Sequence, residues 1–279
     1  MTKLVVSLTT IPSRLPSLAR TLQSLHRQDT VPDVIELNLP RSYSKRSLGR
    51  IDPDLIPGGC TVRWVPQDMG PATKVLPTVR RYRAMDAWIV YCDDDQSYDP
   101  QWLTRLTRTA RKHPDRVIAD RCRSSLKWEN RAHWKDRALT YKLWRLASLG
   151  LWKPVRPDGY VWDVAEGMGG VLIRPEFVDD AAFDIPETLW CVDDVWLSGI
   201  YLKNGHAIQP TGVDWRALEK RSATSAEAPR ARDPLYDCTV DGLTRMQANL
   251  ACIRHMRDRF GVFSGQRSTR WQDRLFSSI

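Results

Sequence analysis

An α/β fold, with a mostly parallel sheet flanked by helices, is the class this sequence predicts. Three observations predict it. Apolar runs of strand length alternate with amphipathic stretches of helix length from residue 3 to residue 120. The links between them are short and rich in Pro, Gly and Asp. Hydrophobic content is 42% of 279 residues, enough apolar side chain for a packed core, while no window approaches the roughly 20 apolar residues of a membrane span.

Taken in order, Lys3–Leu8 is a first strand, closed by Thr9-Thr10-Ile11-Pro12. Leu15, Leu18, Leu22 and Leu25 recur at spacings of three and four, which predicts a helix over Pro16–Gln28. Val34–Leu39 is a second strand stopped by Pro40, and the polar stretch Arg41–Gly59 reads as a loop. Thr61–Val65 is a third strand. Gly70-Pro71 opens a helix over Ala72–Met85, and Ala87–Cys92 is a fourth strand. Asp99-Pro100 supply an N-cap and an N1 proline for a helix over Gln101–His113. Arg116–Asp120 is a fifth strand.

From Arg121 to Trp162 the periodicity is lost, and Trp128, Trp134, Trp144, Trp152 and Trp162 stand among many Lys and Arg. It returns with a strand at Gly170–Arg174 and a helix over Val195–Lys203, stopped by Asn204-Gly205. A last helix covers Leu243–Phe260, its apolar stripe made by Leu243, Met246, Leu250, Ile253 and Met256. Ala217–Pro234 is a polar loop. These elements are expected to form one domain over residues 1–279, in two halves, 1–122 and 123–279.

The formal net charge of +9 favours anionic partners such as nucleotides, nucleic acid, acidic glycans or lipid headgroups, without choosing among them. Six cysteines, at 60, 92, 122, 191, 238 and 252, show no CxxC and no Cys/His zinc spacing. They suit a reducing compartment. The apolar run at the N-terminus is too short for a signal-peptide core. The expected location is cytoplasmic, with peripheral contact at the inner face of a membrane left open by the basic surface.

The fourth strand ends on Asp93-Asp94-Asp95, with no base between the acids. In an extended segment Asp93 and Asp95 face one way, their Cα atoms ~6–7 Å apart. Such a pair at a strand end raises a pKa or demands a cation. A hard divalent ion, Mn²⁺ or Mg²⁺, takes one or two carboxylates and completes its shell with phosphate oxygens. The bland reading is a solvated acidic turn capping the next helix, a role Asp99 already fills.

Three further stretches carry candidates. In Asp68-Met69-Gly70-Pro71-Ala72-Thr73-Lys74, Asp68, Gly70 and Lys74 read either as contacts to a donor nucleotide at a helix N-terminus or as an ordinary helix start with a surface lysine. Glu166-Gly167-Met168-Gly169-Gly170 lets the main chain approach a sugar, with Gly169 and Gly170 as donor contacts, or is a plain turn before a strand. Asp193-Asp194 precede the Val195–Lys203 helix, as cap and dipole partner or as a general base. His26, His113 and His206 read as structural. No GxSxG, GxxxxGK[ST] or GxGxxG motif is present. Trp128, Trp134 and Trp162 are candidates for packing against an acceptor sugar, or else core tryptophans.

Four motifs in order carry a family resemblance. "VYCDDDQSYDPQWLTRL" resembles the metal motif of GT-A glycosyltransferases, most closely the family 2-like group. "VVSLTTIPSRLPSLARTLQSLHRQ" resembles that group's first strand and helix, "GMGGVLIRPEFV" its glycine-rich loop, strand and Arg, and "CVDDVWLSGIYLKNG" the acidic pair that opens a later helix. Departures are Asn38 where the group often has Asp, and Asp193 where it has Glu.

The resemblance implies a GT-A fold, with residues 1–122 as the nucleotide-sugar half and 123–279 as the acceptor half, and transfer of a sugar from a nucleoside diphosphate sugar to a hydroxyl on a glycan or lipid-linked glycan. It implies metal held chiefly by Asp95 with Asp93, donor contacts at Thr9, Thr10, Asp93 and Asp94, an inverting course, and Asp194 as base with Asp193 as the alternative. Two rivals are a sugar-1-phosphate nucleotidylyltransferase and a non-enzymatic nucleic-acid binder. The first lacks a glycine-rich loop after strand one, and the second gives three aspartates no role, so no nucleic acid is expected.

Overall fold

The structure, a computed structural model, describes residues 2–44, 48–126, 128–129, 162–214, 239–240 and 242–264. Its centre is a seven-stranded sheet in the order β3-β2-β1-β4-β8-β5-β9. The strands are β1 (Lys3–Leu8), β2 (Val34–Pro40), β3 (Thr61–Val65), β4 (Ala87–Tyr91), β5 (Val117–Ala119), β8 (Val171–Ile173) and β9 (Ile208–Pro210). Two short pairs stand apart, β6 (Cys122–Arg123) with β7 (Val164–Ala165), and β10 (Thr239–Val240) with β11 (Leu243–Thr244). The helices are α1 (Leu15–His26), α2 (Leu76–Tyr82), α3 (Trp102–Lys112), α4 (Asp193–Lys203) and α5 (Arg245–Phe260). The mostly parallel sheet between helices that the sequence predicts is the architecture present.

Alternation along the strands divides the core into two layers. Val5, Ile89 and Tyr91 face a cluster built with α2, α4 and α5, including Val79, Trp196, Ile200 and Met256. Leu4, Val6, Leu8 and Val90 face the opposite cluster, with Leu18, Leu22 and Leu25 of α1 and Leu103 and Leu106 of α3. A sheet covered on both faces needs mostly apolar strands, and the buried polar exceptions, Ser7, Glu36 and Asn38, lie on β1 and β2.

The register aligns one edge. Ser7 pairs with Glu36 on β2 and with Tyr91 on β4, all parallel, so the carboxyl ends of β1, β2 and β4 open together. β8 is the exception. It runs antiparallel to both β4 and β5. Its reversal brings the amino end, with the loop at 166–170, to the edge where its neighbours end. A three-residue buried strand carries no mark of direction in its own sequence.

Several boundaries move. The expected Ala72–Met85 helix is a 3₁₀ turn, Gly70–Lys74, followed by the short α2. Pro77 is the reason: it has no N–H to donate, and its ring crowds the preceding turn. Val75, at φ −121°, breaks the run between them. Asp193 and Asp194 lie inside the first turn of α4 rather than before it. The last helix begins at Arg245, with Thr244 and Gln247 forming a capping box. Asp99 is not the N-cap of α3. Its carboxylate accepts from the Gln101 N–H and holds Arg105, while Gln101 occupies the cap.

Trp134, Cys238 and the Ala217–Pro234 stretch lie outside the described residues. No helix among the described residues is long and apolar enough to cross a membrane. The five described cysteines are free thiols.

Candidate functional site

At the shared strand edge lies a cavity of about 690 Å³. Thr9 and Thr10 reach it from the end of β1, Asp68, Gly70 and Lys74 from the segment after β3, and Asp93, Asp94 and Asp95 from the end of β4. Asp193 and Asp194 enter from the first turn of α4, and Trp128 from beyond β6. Chain ends at the carboxyl side of parallel strands are where such a fold can host a ligand without breaking its ladders.

The acid run is not extended. The chain turns at Asp94 and Asp95, so Asp93 and Asp95 face different partners. Asp94 is buried, accepting from Thr10 Oγ1 and from Arg14 Nη1 at 3.1 Å. The same Arg14 Nη1 lies 3.5 Å from Asp95 Oδ2. Thr21 Oγ1, on α1, donates to the carbonyls of Asp94 at 2.7 Å and Gln96 at 2.8 Å, and so clasps the turn against the helix. Burial pushes the Asp94 carboxyl up to about 6, against the lowering pull of Arg14 and of the Thr10 hydrogen bond.

The other base is Lys74, a buried residue and not the surface lysine of the bland reading. Its Nζ lies 2.6 Å from Asp93 Oδ1 and 2.9 Å from Asp193 Oδ2. Burial alone depresses a lysine, but Asp193 and Asp93 outweigh it and hold Lys74 well above its usual value. Asp93 is the mirror case: burial raises it, and Lys74 brings it below the usual carboxylate range.

The backbone of Lys74 is fixed from beneath. Ser7 Oγ donates to the Lys74 carbonyl at 2.6 Å. Asn38 Nδ2 donates to Ser7 Oγ at 3.0 Å and to Thr78 Oγ1 at 2.9 Å. Glu36, fully buried on β2, is paired with Arg81 and Arg63. Asn38 therefore faces this buried layer instead of a ligand.

Asp194 differs from its neighbour. Asp193 is 2% exposed and paired with Lys74. Asp194 Oδ1 accepts from the Gly167 N–H at 2.9 Å, and its other oxygen makes no hydrogen bond among the described residues. Burial, with Asp193 adding repulsion, pushes its carboxyl up to about 7, only partly offset by Lys74. A carboxylate poised near neutrality inside a cleft is what proton transfer at physiological pH requires.

The glycine run divides by role. A Cβ on Gly167 would meet Lys74 Nζ at 2.6 Å and Asp194 Oδ1 at 3.3 Å, so this glycine makes room for the charged cluster. Gly169 and Gly170, expected at a sugar, instead give way to protein. Their Cβ positions are taken by Arg121 and by the Trp102 indole, and neither lines the cavity. Gly170 also holds φ +83°, a left-handed backbone that favours glycine. Gly70, at φ +58°, lies against Trp190, and its N–H donates to Asp68 Oδ1 at 2.8 Å.

Among the tryptophans, Trp128 is buried and faces the cavity with the Arg123 guanidinium 5.9 Å from its ring. Trp162 is 43% exposed and does not line the cavity. His26 and His206 hydrogen-bond the carbonyls of Gly59 and Asp115, far from the acids, as structural histidines do.

Sequence reading missed Arg14, Tyr43, Arg121, Arg123, Trp190 and Arg245, all of which line the cavity. Tyr43 OH donates to the Thr10 carbonyl at 2.8 Å. Arg14 alone left a hint: it follows the first strand by six residues, within reach of the neighbouring strand end.

Asp93 and Asp95 each lie beside a cation of the protein, Lys74 and Arg14 respectively. Asp93 and Asp95 offer oxygen ligands, 31% and 21% exposed. Among the described residues no three His, Cys, Asp or Glu side chains converge on one point.

No protein-family model and no curated protein matches the chain. Among solved structures it is similar to S. aureus TarS, at 13% identity and a TM-score of 0.43, covering 75% of this chain and 35% of that one. The chain thus spans about a third of that protein's length. It is also similar to glucosyl-3-phosphoglycerate synthase from Mycobacterium tuberculosis in complex with UDP, at 14% identity, TM-score 0.47, and coverage of 95% and 82%. A third is the mannosyltransferase PcManGT from Pyrobaculum calidifontis in complex with GDP-Man and Mn²⁺, at 14% identity, TM-score 0.45, and coverage of 91% and 70%.

Proposed function

We propose that the chain is a glycosyltransferase that moves a sugar from a nucleoside diphosphate sugar to a hydroxyl acceptor. The observation that carries this reading is one cavity in which Lys74 pairs with Asp93 at 2.6 Å while Asp194, held through one oxygen by the Gly167 N–H, keeps its other oxygen without a hydrogen bond among the described residues. Asp93 is held ionised by the lysine, and Asp194 is raised to about 7 beside it. One suits lasting charge and the other a moving proton.

In this mechanism Asp194 is the general base. Gly167 N–H fixes one carboxylate oxygen, and the other takes the proton of the acceptor hydroxyl as that oxygen attacks the anomeric carbon. The bond from that carbon to the diphosphate breaks, and the diphosphate leaves with the electron pair. Attack from the face opposite the leaving group inverts the anomeric centre. Asp193 holds Lys74 in place and is the alternative base. Lys74 carries positive charge toward the departing phosphates.

Asp95 and Asp93 are the residues that would hold Mn²⁺ or Mg²⁺, which would offset negative charge on the diphosphate. Thr9, Thr10, Asp68, Gly70 and Asp94 form the donor wall, and residues 123–279 supply the acceptor side, where Trp128 faces the cavity. The acceptor class is a glycan or lipid-linked glycan. The cytoplasmic face of a membrane, with peripheral contact through the basic surface, is the matching location.

The test is transfer from a panel of nucleoside diphosphate sugars by Asp194→Asn and Asp95→Ala. Both variants are expected to lose transfer, and only Asp95→Ala to lose metal-dependent nucleotide binding. Normal transfer by both variants contradicts the assignment.

A further inference from the structure

We propose that Glu166 is a positioning residue for the base: held by Arg121 and Arg123, it fixes the 165–167 segment, whose main chain orients Asp194 in the cavity. The inference deepens the glycosyltransferase reading and rests on it.

Two main-chain groups of that segment reach α4. The Gly167 N–H donates to Asp194 Oδ1 at 2.9 Å, and the Ala165 N–H donates to Ser198 Oγ at 3.0 Å. Asp194 and Ser198 stand at i and i+4, so they share one face of the helix, about 6 Å apart along its axis. Ala165 and Gly167 stand at i and i+2, about 6–7 Å apart in extended chain. The spacings match, so the segment docks on α4 at two points, and one of them is the base. Ser198 is buried and does not line the cavity, so its part is register alone.

Between those two donors stands Glu166. Its N–H donates to the Arg121 carbonyl at 3.0 Å. One of its carboxylate oxygens accepts from Nε of Arg121, and the other from Nε of Arg123 at 2.5 Å. The side chain is 11% exposed, so solvent does little to weaken these charge-assisted bonds. Arg121 precedes β6 and Arg123 belongs to it, and β6 pairs with β7, which ends at Ala165. The carboxylate thus closes the end of that two-stranded pair. Gly169 presses on the same Arg121: a Cβ there would meet the Arg121 nitrogen at 2.8 Å.

Glu166 lines the cavity, yet both of its oxygens already accept from the protein. It acts on the reaction through Gly167 and Asp194, not on a substrate. The main-chain bond to Arg121 survives loss of the side chain, so the segment loosens without detaching. Misplacing a reacting group by about 1 Å can cost roughly 10²-fold in rate, and a loosened segment forfeits part of that.

The experiment measures initial rates of UDP or GDP release from nucleotide sugars, with water as acceptor, by wild type, Glu166→Gln and Glu166→Ala. Both changes are also made in the Asp194→Asn background, and amide hydrogen exchange is followed in the nucleotide-free proteins. In the presence of Asp194, turnover should fall about tenfold or more with KM for the nucleotide sugar unchanged. In the Asp194→Asn background the same changes should cost less than about twofold, because a residue that acts through the base has nothing left to act on. Exchange at the Ala165 and Gly167 amides should quicken about tenfold or more in Glu166→Ala. An equal loss of turnover with and without Asp194 overturns the proposal and leaves Glu166 a merely structural residue. A raised KM at unchanged turnover also overturns it and assigns Glu166 to the substrate. Unchanged turnover, or unchanged exchange at both amides, overturns it as well. Release from no nucleotide sugar by the wild type contradicts the glycosyltransferase reading instead, and exchange at the two amides then still decides whether Glu166 fixes the segment.

Discussion

Lys74 Nζ lies 2.6 Å from Asp93 Oδ1, joining the segment after the third strand to the acid run after the fourth. The same nitrogen reaches Asp193, so one buried cation ties three separate chain segments at the cavity floor.

Removing that cation takes the partner from the buried Asp193 and from the partly exposed Asp93. Lys74→Ala is expected to cost about 3–5 kcal/mol of stability, the range for breaking a buried ion pair by deleting one partner. Chemical denaturation measures it. A loss below about 1 kcal/mol would show that solvent already compensates Asp93 and Asp193.

Arg14 compensates Asp94 and Asp95, and its removal has a pH signature. Arg14 lowers the Asp94 pKa, so Arg14→Ala raises it above the present value of about 6. The variant binds its proton more tightly when folded than when unfolded, so its stability falls as pH rises through that window. The melting-temperature deficit against wild type should therefore be larger at pH 8 than at pH 5. An equal deficit at both pH values counts against the pairing.

Asp194→Asn should lower turnover by about 10²–10⁴-fold, the usual contribution of a general base, and leave nucleotide affinity within a few-fold. In the wild type, activity should rise with pH through about 7 as Asp194 loses its proton. That limb should vanish in the variant. Because burial raises this carboxyl in the folded state, Asp194→Asn should gain stability relative to wild type at pH 8 and not at pH 4.

Two glycines of one loop should fail differently. Gly167→Ala drives a methyl into Lys74 Nζ and toward Asp194, and is expected to cost at least tenfold in turnover with a modest stability loss. Gly170→Ala combines φ +83° with a 2.2 Å approach to the Trp102 ring, and is expected to cost about 2–4 kcal/mol of folding free energy. Thermal melts beside initial rates separate the two.

Much of this was legible in the sequence because the signals are local. Alternation and leucine spacing marked β1 to β4 and α1, and the Asp93–Asp95 run was visible as charge at a strand end. Asp68, Lys74, Asp193 and Asp194 stood out as acids or a base beside helix starts, and the fold brings all four to one cavity. What stayed hidden depends on distant partners. Arg14 meets Asp94 across 80 residues, and no local pattern encodes that pair. The direction of β8 and the interruption of the 72–85 helix come from tertiary context and from Pro77. Gly167 stands in a run read as an approach for a sugar or as a plain turn, yet it makes space for Lys74, which only the packing reveals.

The central claim is that this cavity breaks the bond between a sugar and a nucleoside diphosphate with Asp194 as the base. Its most direct measurement is release of UDP or GDP from a panel of nucleotide sugars, with water as the default acceptor, by wild type and Asp194→Asn side by side. The account predicts measurable release from at least one donor and a drop of about 10²-fold or more in the variant. No release from any donor, or equal rates for the two proteins, would contradict it.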